Sequence, residues 1–226
     1  MRVVRPGTRI LTPASNCGIK GLQQLERIAR VCYQSEDHIT KDGESAKKLI
    51  RALIKSGHHA MLEHGSVSVW FRCDRGISHE LVRHRVASFA QESTRYCNYS
   101  KGKFGSELTF IRPFFFEDTW RYSSWLNQMQ EAENTYLELV NNGAKPEEAR
   151  SVLPNSLKTN IVVTAKYREW RHIFDLRCSP NAHPQMRELM LPLLDQFNAR
   201  YPVLFEDIYE KYKDQIPPDS RHRSIG

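Results

Sequence analysis

The sequence lacks the patterns that several protein classes require. No apolar run approaches the roughly 20 residues that span a bilayer, and none near the first methionine is long enough for a signal peptide. The five cysteines are scattered and form no CxxC pair, so neither a zinc site nor a disulfide framework is indicated. We therefore expect a cytoplasmic protein with no membrane partner and no metal.

Two common nucleotide-binding signatures are also missing. The 226-residue chain has no GxGxxG after a strand and no GxxxxGKS or GxxxxGKT, which excludes a Rossmann fingerprint and a P-loop. A nucleotide cofactor would then depend on side-chain cations for its phosphates. Such cations are abundant, because 33 Lys and Arg stand against 26 Asp and Glu. The net charge of +7 suggests anionic partners without naming them.

Hydrophobic periodicity predicts a mixed α/β fold without the regular βαβ alternation of a parallel sheet. Apolar stripes predict helices over residues 21–33, 45–54, 76–90, 117–142, 146–150, 169–176 and 185–212, the last interrupted at Pro192 and Pro202. Alternating or β-branched segments predict strands over residues 2–11, 66–71, 108–111 and 160–164. The length suits one core, so we predict a single domain over residues 1–215 and a polar tail over 216–226.

The most unusual segment runs from Arg83 to Tyr96. On a continuous helix, one stripe would hold Glu80, Arg83, His84, Ala87 and Gln91. Small residues at 87 and 88 would let a flat ligand approach, and Ser93-Thr94-Arg95 then offers hydroxyls, backbone N–H groups and a guanidinium, a good anion-binding set. The alternative is a solvated basic helix end.

Arg83-His84-Arg85, then seven intervening residues, then Ser93 resembles the signature motif of flavin-dependent thymidylate synthases. Three further segments resemble that family: GHHAMLEH at 57–64, ARSVLP at 149–154 and REWRHIFDLR at 168–177. The resemblance covers nearly the whole chain. Two departures stand out: Ala60-Met61 replaces the family's Ser-Pro, and Lys166 stands where the family more often has Asn.

The resemblance implies methylation of dUMP to dTMP. In this chemistry NADPH reduces bound FAD, 5,10-methylenetetrahydrofolate delivers a one-carbon unit to the uracil ring, and reduced flavin supplies the hydride. It also implies a homotetramer with active sites at subunit interfaces. The implied fold is mixed α/β, with a mainly antiparallel sheet flanked by helices.

The same resemblance implies which residues form the site. For dUMP it implies Glu80, Leu81, Val82, Arg83, Gln91, Glu92, Ser93, Thr94, Arg95, Arg150 and Arg177. For FAD it implies His58, Ala60, Glu63, Arg83, His84, Arg85, Gln91, Lys166, Arg168 and His172, whereas His59 and His79 are expected to be structural. Arg177 is the expected catalytic residue, because a guanidinium can stabilise negative charge at uracil N3 and O4.

Three other interpretations remain open. A nucleic-acid-binding module fits the sequence pI of about 9.2, although the basic residues form no continuous tract. A metal hydrolase could use His59 and Glu63, an i, i+4 pair, but no HExxH motif is present. A thiol-dependent methylase could use Cys97 near Arg95 or Cys178 after Arg177, although neither lies in a recognisable nucleophile motif.

Overall fold

The strands of the described residues form two sheets. The computed structural model describes residues 1–13, 18–97, 99, 107–116 and 120–218. Strand β1 (Arg2–Val4) pairs in parallel with β5 (Thr109–Ile111). Four further strands form an antiparallel sheet flanked by helices, namely β2 (Gly7–Ile10), β3 (Ser66–Asp74), β4 (Ser88–Gln91) and β6 (Lys158–Lys166). Their order is β2-β3-β6-β4, which confirms the expected fold class.

The described residues also form α-helices, most of them where apolar stripes predicted them. Leu22, Leu25 and Ala29 are buried on one face of the first helix, and Gly57 ends the second with a φ of +75°, a conformation that favours glycine. The helices are α1 (Gly18–Val31), α2 (Glu44–Lys55), α3 (Arg75–Leu81), α4 (Trp120–Asn141), α5 (Pro146–Ala149), α6 (Tyr167–Arg177), α7 (Pro184–Arg200) and α8 (Glu206–Tyr212). Residues 117–119 and 219–226 of the predicted helix and tail lie outside the described residues.

The chain divides into two compact units. The first unit comprises residues 1–7, 71–83 and 89–162, and the second comprises residues 8–70, 84–88 and those from 163 onward. The boundary therefore crosses β3 after Trp70 and β6 after Val162. The single domain over residues 1–215 stays a prediction.

Each unit has its own core. In the first, β5 and α4 pack around a cluster of buried residues, Tyr99, Leu108, Phe110, Met129, Tyr136, Ala149 and Leu157. In the second, α6, α7 and the following turn contribute an aromatic cluster in which the Phe174 and Phe197 rings lie 4.9 Å apart. Trp170 joins this cluster and its indole N–H donates to the Val67 carbonyl at 2.9 Å. The buried face of α6 is thus held rigidly, since truncating such a ring costs about 3–5 kcal/mol.

The helix predicted over residues 76–90 is wrong beyond Leu81. The side chain of Asp74 caps α3 by accepting from the Ile77 N–H at 2.7 Å, but the helix ends at Leu81 and the chain turns before β4. Glu92, the residue after the end of β4, donates its N–H to the Asn160 carbonyl at 2.9 Å. Pairing with β6 therefore overrides the local helical period. Consequently the predicted stripe of Glu80, Arg83, His84, Ala87 and Gln91 does not exist.

The C-terminal helical pattern is divided at Pro202, as predicted, but it continues through Pro192. Pro192 lies inside α7, whereas Pro202 lies between α7 and α8. Val203 follows with a φ of +75°, an uncommon conformation for a β-branched residue. The turn brings α8 against α6, where it helps to form a cleft.

Candidate active site

The second unit contains a cleft of about 850 Å³, within the range of small-molecule sites. It lies along the outer face of α6 and is bordered by α8 and by a 3₁₀ turn over His59–His64. The residues that line it are mostly charged: His59, Glu63, Val86, Lys166, Arg168, Glu169, Arg171, His172, Asp175, Asp207, Ile208 and Lys211. Three of the predicted flavin contacts on the β6–α6 segment, Lys166, Arg168 and His172, are thus brought together.

The junction of β6 and α6 sets the order of these side chains. Lys166 is the N-cap of α6 and is exposed, and Arg168 follows in the first turn. The Gly65 carbonyl accepts from the Tyr167 N–H at 3.0 Å, and a Cβ on Gly65 would lie 2.0 Å from the Tyr167 ring. Only glycine permits this close approach, which anchors the end of the 3₁₀ turn to the start of α6.

His84 is the most deeply buried member of the Arg-His-Arg triplet, with 5% of its surface exposed. Arg177 donates its Nε–H to His84 Nε2 at 3.0 Å, and the Glu169 carboxyl oxygen lies 3.6 Å from His84 Nδ1. Burial first, and then the charges of Arg177 and His172, lower the pKa of His84 to about 4. The ring is therefore neutral near pH 7, and its approach to Glu169 is not an ion pair.

The hydrogen bond from Arg177 determines the tautomer of this ring. An arginine N–H can only donate, so His84 Nε2 must carry the lone pair. The single proton of the neutral ring then lies on Nδ1, which faces Glu169. Burial raises the pKa of Glu169, while His172 and Arg168 act in the opposite direction.

Ion pairs tie much of the cleft wall. Arg168 Nη1 lies 2.5 Å from the Glu63 carboxylate, with both side chains about half exposed; such a pair contributes at most about 1 kcal/mol and can rearrange around a ligand. Farther along, Arg171 makes two hydrogen bonds of 2.8 and 2.6 Å to Asp207. Burial alone would raise the pKa of Asp207, but the bonds from Arg171 lower it. The Arg171–Asp207 pair is therefore more strongly held than the Arg168–Glu63 pair.

The two neighbouring histidines line different cavities, and their predicted roles stay predictions. His58 and Ala60, both expected at the flavin, line a separate groove of about 300 Å³ beside α1 and α2. His59, expected to be structural, lines the large cleft. Sequence spacing could not separate them, since adjacent residues of a 3₁₀ turn project in different directions. Arg85 is exposed on the turn after His84.

The first unit contains a second, basic pocket of about 460 Å³. It is lined by Arg75, His79, Thr94, Glu147, Arg150, Ser151, Leu153, Pro154 and Asn155. Thr94 is buried, and its hydroxyl accepts from Arg150 Nη1 at 3.4 Å. The Ser93 hydroxyl accepts from the Arg95 N–H at 3.3 Å, and Arg95 Nε lies 3.6 Å from Glu147. Two predicted phosphate contacts thus meet, and sequence reasoning missed Arg75 and His79.

Two other predicted nucleotide contacts of the first unit, Gln91 and Glu92, form hydrogen bonds within the protein. Gln91 donates its amide N–H groups to Ser78 at 2.9 Å and Thr159 at 3.3 Å. The Glu92 carboxylate accepts from Lys158 at 2.8 Å, from Asn160 and from the Tyr99 hydroxyl. Leu81 is 1% exposed, Glu80 is half-buried, and Val82 and Arg83 are exposed.

The described residues contain no cluster of three or more His, Cys, Asp or Glu side chains that could hold a metal ion. Within the same part of the chain, no helix is long and apolar enough to cross a membrane. Cys178 is buried, and burial raises the pKa of its thiol to about 12. This thiol stays protonated near neutral pH, which disfavours it as a nucleophile.

Fold and sites together define a mixed α/β protein with a cleft lined mostly by charged residues in one unit and a basic pocket in the other. The family model described as thymidylate synthase complementing protein matches residues 20–203. The chain is 34% identical over 202 residues to the flavin-dependent thymidylate synthase of Corynebacterium aurimucosum, covering 82% of this chain and 79% of the relative. The enzyme of the same name from Geobacter sulfurreducens is 33% identical over 185 residues, covering 79% and 78%. That from Pyrococcus furiosus is 35% identical over 156 residues, covering 68% and 63%.

These matches show the family. The chain belongs to the thymidylate synthase complementing proteins, the family of the flavin-dependent thymidylate synthases. The predicted family is thereby confirmed.

Proposed function

We propose that the protein methylates dUMP to dTMP, with 5,10-methylenetetrahydrofolate as one-carbon donor, FAD as cofactor and NADPH as reductant. The observation that carries this proposal is the buried, neutral His84, which accepts from Arg177 and lies against Glu169 and His172 of the charged cleft. Family membership supplies the reaction class. The arrangement is suited to stabilising negative charge on a bound ring without transferring a proton to it.

The cleft of the second unit fits a flavin dinucleotide in size and in donor chemistry. Lys166 and Arg168 place two exposed cations at one end, where a pyrophosphate needs them in the absence of a glycine-rich phosphate loop. Glu63, His59 and His172 add polar groups that can accept or donate hydrogen bonds. From the family resemblance we also assign His58, Ala60, Arg83, His84, Arg85 and Gln91 to the flavin. A bound flavin supplies hydride-transfer chemistry.

The basic pocket of the first unit fits the phosphate of dUMP. A nucleotide monophosphate carries close to two negative charges, and guanidinium forks with nearby hydroxyls bind such groups well. Arg150 and Thr94 already lie together there. We assign Ser93 and Arg95, which flank Thr94 in the sequence, to the same phosphate. We assign Glu80, Leu81, Val82, Arg83, Gln91 and Glu92 to the nucleotide from the family resemblance, with Gln91 and Glu92 also holding β4 to β6.

Arg177 is the proposed catalytic residue. Uracil C5 attacks the one-carbon carrier more readily when negative charge at N3 and O4 is stabilised, and a planar guanidinium can address both atoms. Its Nε–H donates to His84, and this hydrogen bond restrains the orientation of the guanidinium. Fixed charge of this kind needs no reorganisation during the reaction.

We also propose, from the family resemblance, a cytoplasmic homotetramer with active sites at subunit interfaces and a single domain over residues 1–215. A nucleic-acid-binding module is the second candidate, favoured by the net charge of +7. Absorption spectroscopy separates the two. We expect FAD-reconstituted protein to retain a yellow flavin, and anaerobic NADPH to bleach its absorption band. Protein that keeps no flavin and binds DNA tightly at low salt would refute the enzyme proposal.

A further inference from the structure

His84 bridges two residues of α6 that are far apart along the helix. Glu169 lies in the first turn and Arg177 is the last residue, so about 12 Å of helix axis separates them at 1.5 Å per residue. His84 comes from the turn before β4, 93 positions away from Arg177 in sequence. One side of its ring meets Arg177, and the opposite side meets Glu169.

We propose that Glu169 is a positioning residue, which holds His84 in the Nδ1–H tautomer so that Nε2 keeps the guanidinium of Arg177 in place. Glu169 has 12% of its side chain exposed and His84 has 4%, so water competes little for the imidazole proton. A carboxyl group offers an acceptor oxygen to Nδ1–H in either protonation state. Were the proton on Nε2 instead, two N–H donors would face each other and the hold on Arg177 would be lost.

The surrounding charges support this assignment. The His172 ring lies edge-on to His84 at 5.8 Å between centroids, and with Arg177 it disfavours a protonated His84. Glu169 is the acidic residue of the first turn of α6, where the helix dipole favours a carboxylate. The alternative role for Glu169, a plain surface ion pair, would require a cation closer than the imidazole.

The tautomer can be read directly by solid-state NMR of ¹⁵N-histidine-labelled protein, since protonated and unprotonated ring nitrogens have distinct shifts. A His84→Gln variant identifies the signal by its loss. We expect a single neutral His84 signal with the proton on Nδ1, retained in Glu169→Gln, whose amide oxygen can still accept. In Glu169→Ala we expect a second population with the proton on Nε2. Glu206→Gln, which alters an exposed ion pair with Arg51, should leave the signal unchanged.

The consequence for turnover rests on the proposed function. We expect Glu169→Ala to lower kcat for dTMP formation roughly tenfold, the scale of one hydrogen bond to a charged group, with little change in KM for dUMP or in bound flavin. Glu169→Gln should recover most of this loss. A wild-type His84 protonated on Nε2, or a Glu169→Ala variant with unchanged tautomer and kcat, would overturn the proposal. If the wild type makes no dTMP while its tautomer is as stated, the proposed function fails and the positioning role stands.

Discussion

The two cavities differ in how their cations are compensated. In the cleft of the second unit, Arg168 pairs with Glu63 and Arg171 with Asp207. In the same unit, Arg177 donates to the neutral imidazole of His84. In the basic pocket of the first unit, Arg150 donates to the Thr94 hydroxyl. The carboxylate that lines this pocket, Glu147, approaches Arg95. The cleft is thus largely preorganised, whereas the pocket offers positive charge that an anion would neutralise.

We expect the largest loss of activity from substitution of Arg177. We expect Arg177→Ala to lower kcat/KM about 10²–10³-fold, the range for losing a preorganised charge-stabilising donor, and Arg177→Lys to lower it less, because an ammonium is a point charge. Both variants should keep most of their flavin. Steady-state dTMP formation and the absorbance ratio of flavin to protein measure the two effects. Arg200→Ala, an exposed arginine on α7, serves as control, and near-normal turnover of Arg177→Ala would refute the assigned role.

The next largest effect concerns stability and pH. The pKa of His84 is about 4 in the folded protein, against an ordinary 6.5, so the unfolded chain binds this proton more readily. The contribution of His84 is therefore fully present above pH 6.5 and is lost as the pH falls toward 4, by at most about 3 kcal/mol.

Urea unfolding between pH 8 and pH 4 measures this change. We expect His84→Asn to flatten the fall in the free energy of unfolding over that window, and His38→Asn, an exposed histidine, to leave it unaltered. The raised pKa of Glu169 acts in the opposite sense, so the comparison between variants isolates His84. Equal pH slopes for wild type and His84→Asn would contradict the buried, neutral ring.

A smaller effect is expected in the basic pocket. Ser93 is half-buried and next to Thr94, and no general base is assigned to it. Ser93→Ala should weaken dUMP binding by roughly 1–2 kcal/mol, the scale of one charge-assisted hydrogen bond, and leave turnover at saturating dUMP. Calorimetric titration of dUMP tests this, with the exposed Ser123→Ala as control. Unchanged affinity combined with complete loss of turnover would point to a nucleophile instead.

The smallest effect should appear at Lys166, where the sequence departs from the family pattern. Lys166 is exposed at the start of α6 and lines the cleft beside Arg168, and an ammonium–phosphate contact there should be screened by salt. Lys166→Asn should weaken FAD binding by roughly 0.5–1 kcal/mol and make it less dependent on salt. Titrations of FAD at low and high ionic strength, with the exposed Lys48→Asn as control, measure both quantities. Parallel curves with equal affinities would exclude an ionic contact.

Local patterns in the sequence predicted α2 and β3 well, because each buries one face with a regular period. They could not predict β4, whose strand pairing depends on residues about 70 positions later, as in the contact between Glu92 and Asn160. The Arg-His-Arg triplet predicted a site in this segment, and only the fold shows that His84 is buried and meets Arg177. Likewise, the assignment of His59 rather than His58 to the cleft depends on a 3₁₀ turn that the sequence does not specify.

Flavin-dependent methylation of dUMP yields dTMP, and the formation of this product can be measured. Purified protein reconstituted with FAD is incubated with dUMP, 5,10-methylenetetrahydrofolate and NADPH, and the nucleotide product is measured by mass spectrometry. We predict dTMP in the complete mixture and none when FAD, NADPH or the folate is omitted. Bound flavin without dTMP, or dTMP formed equally well without flavin, would contradict the proposed reaction.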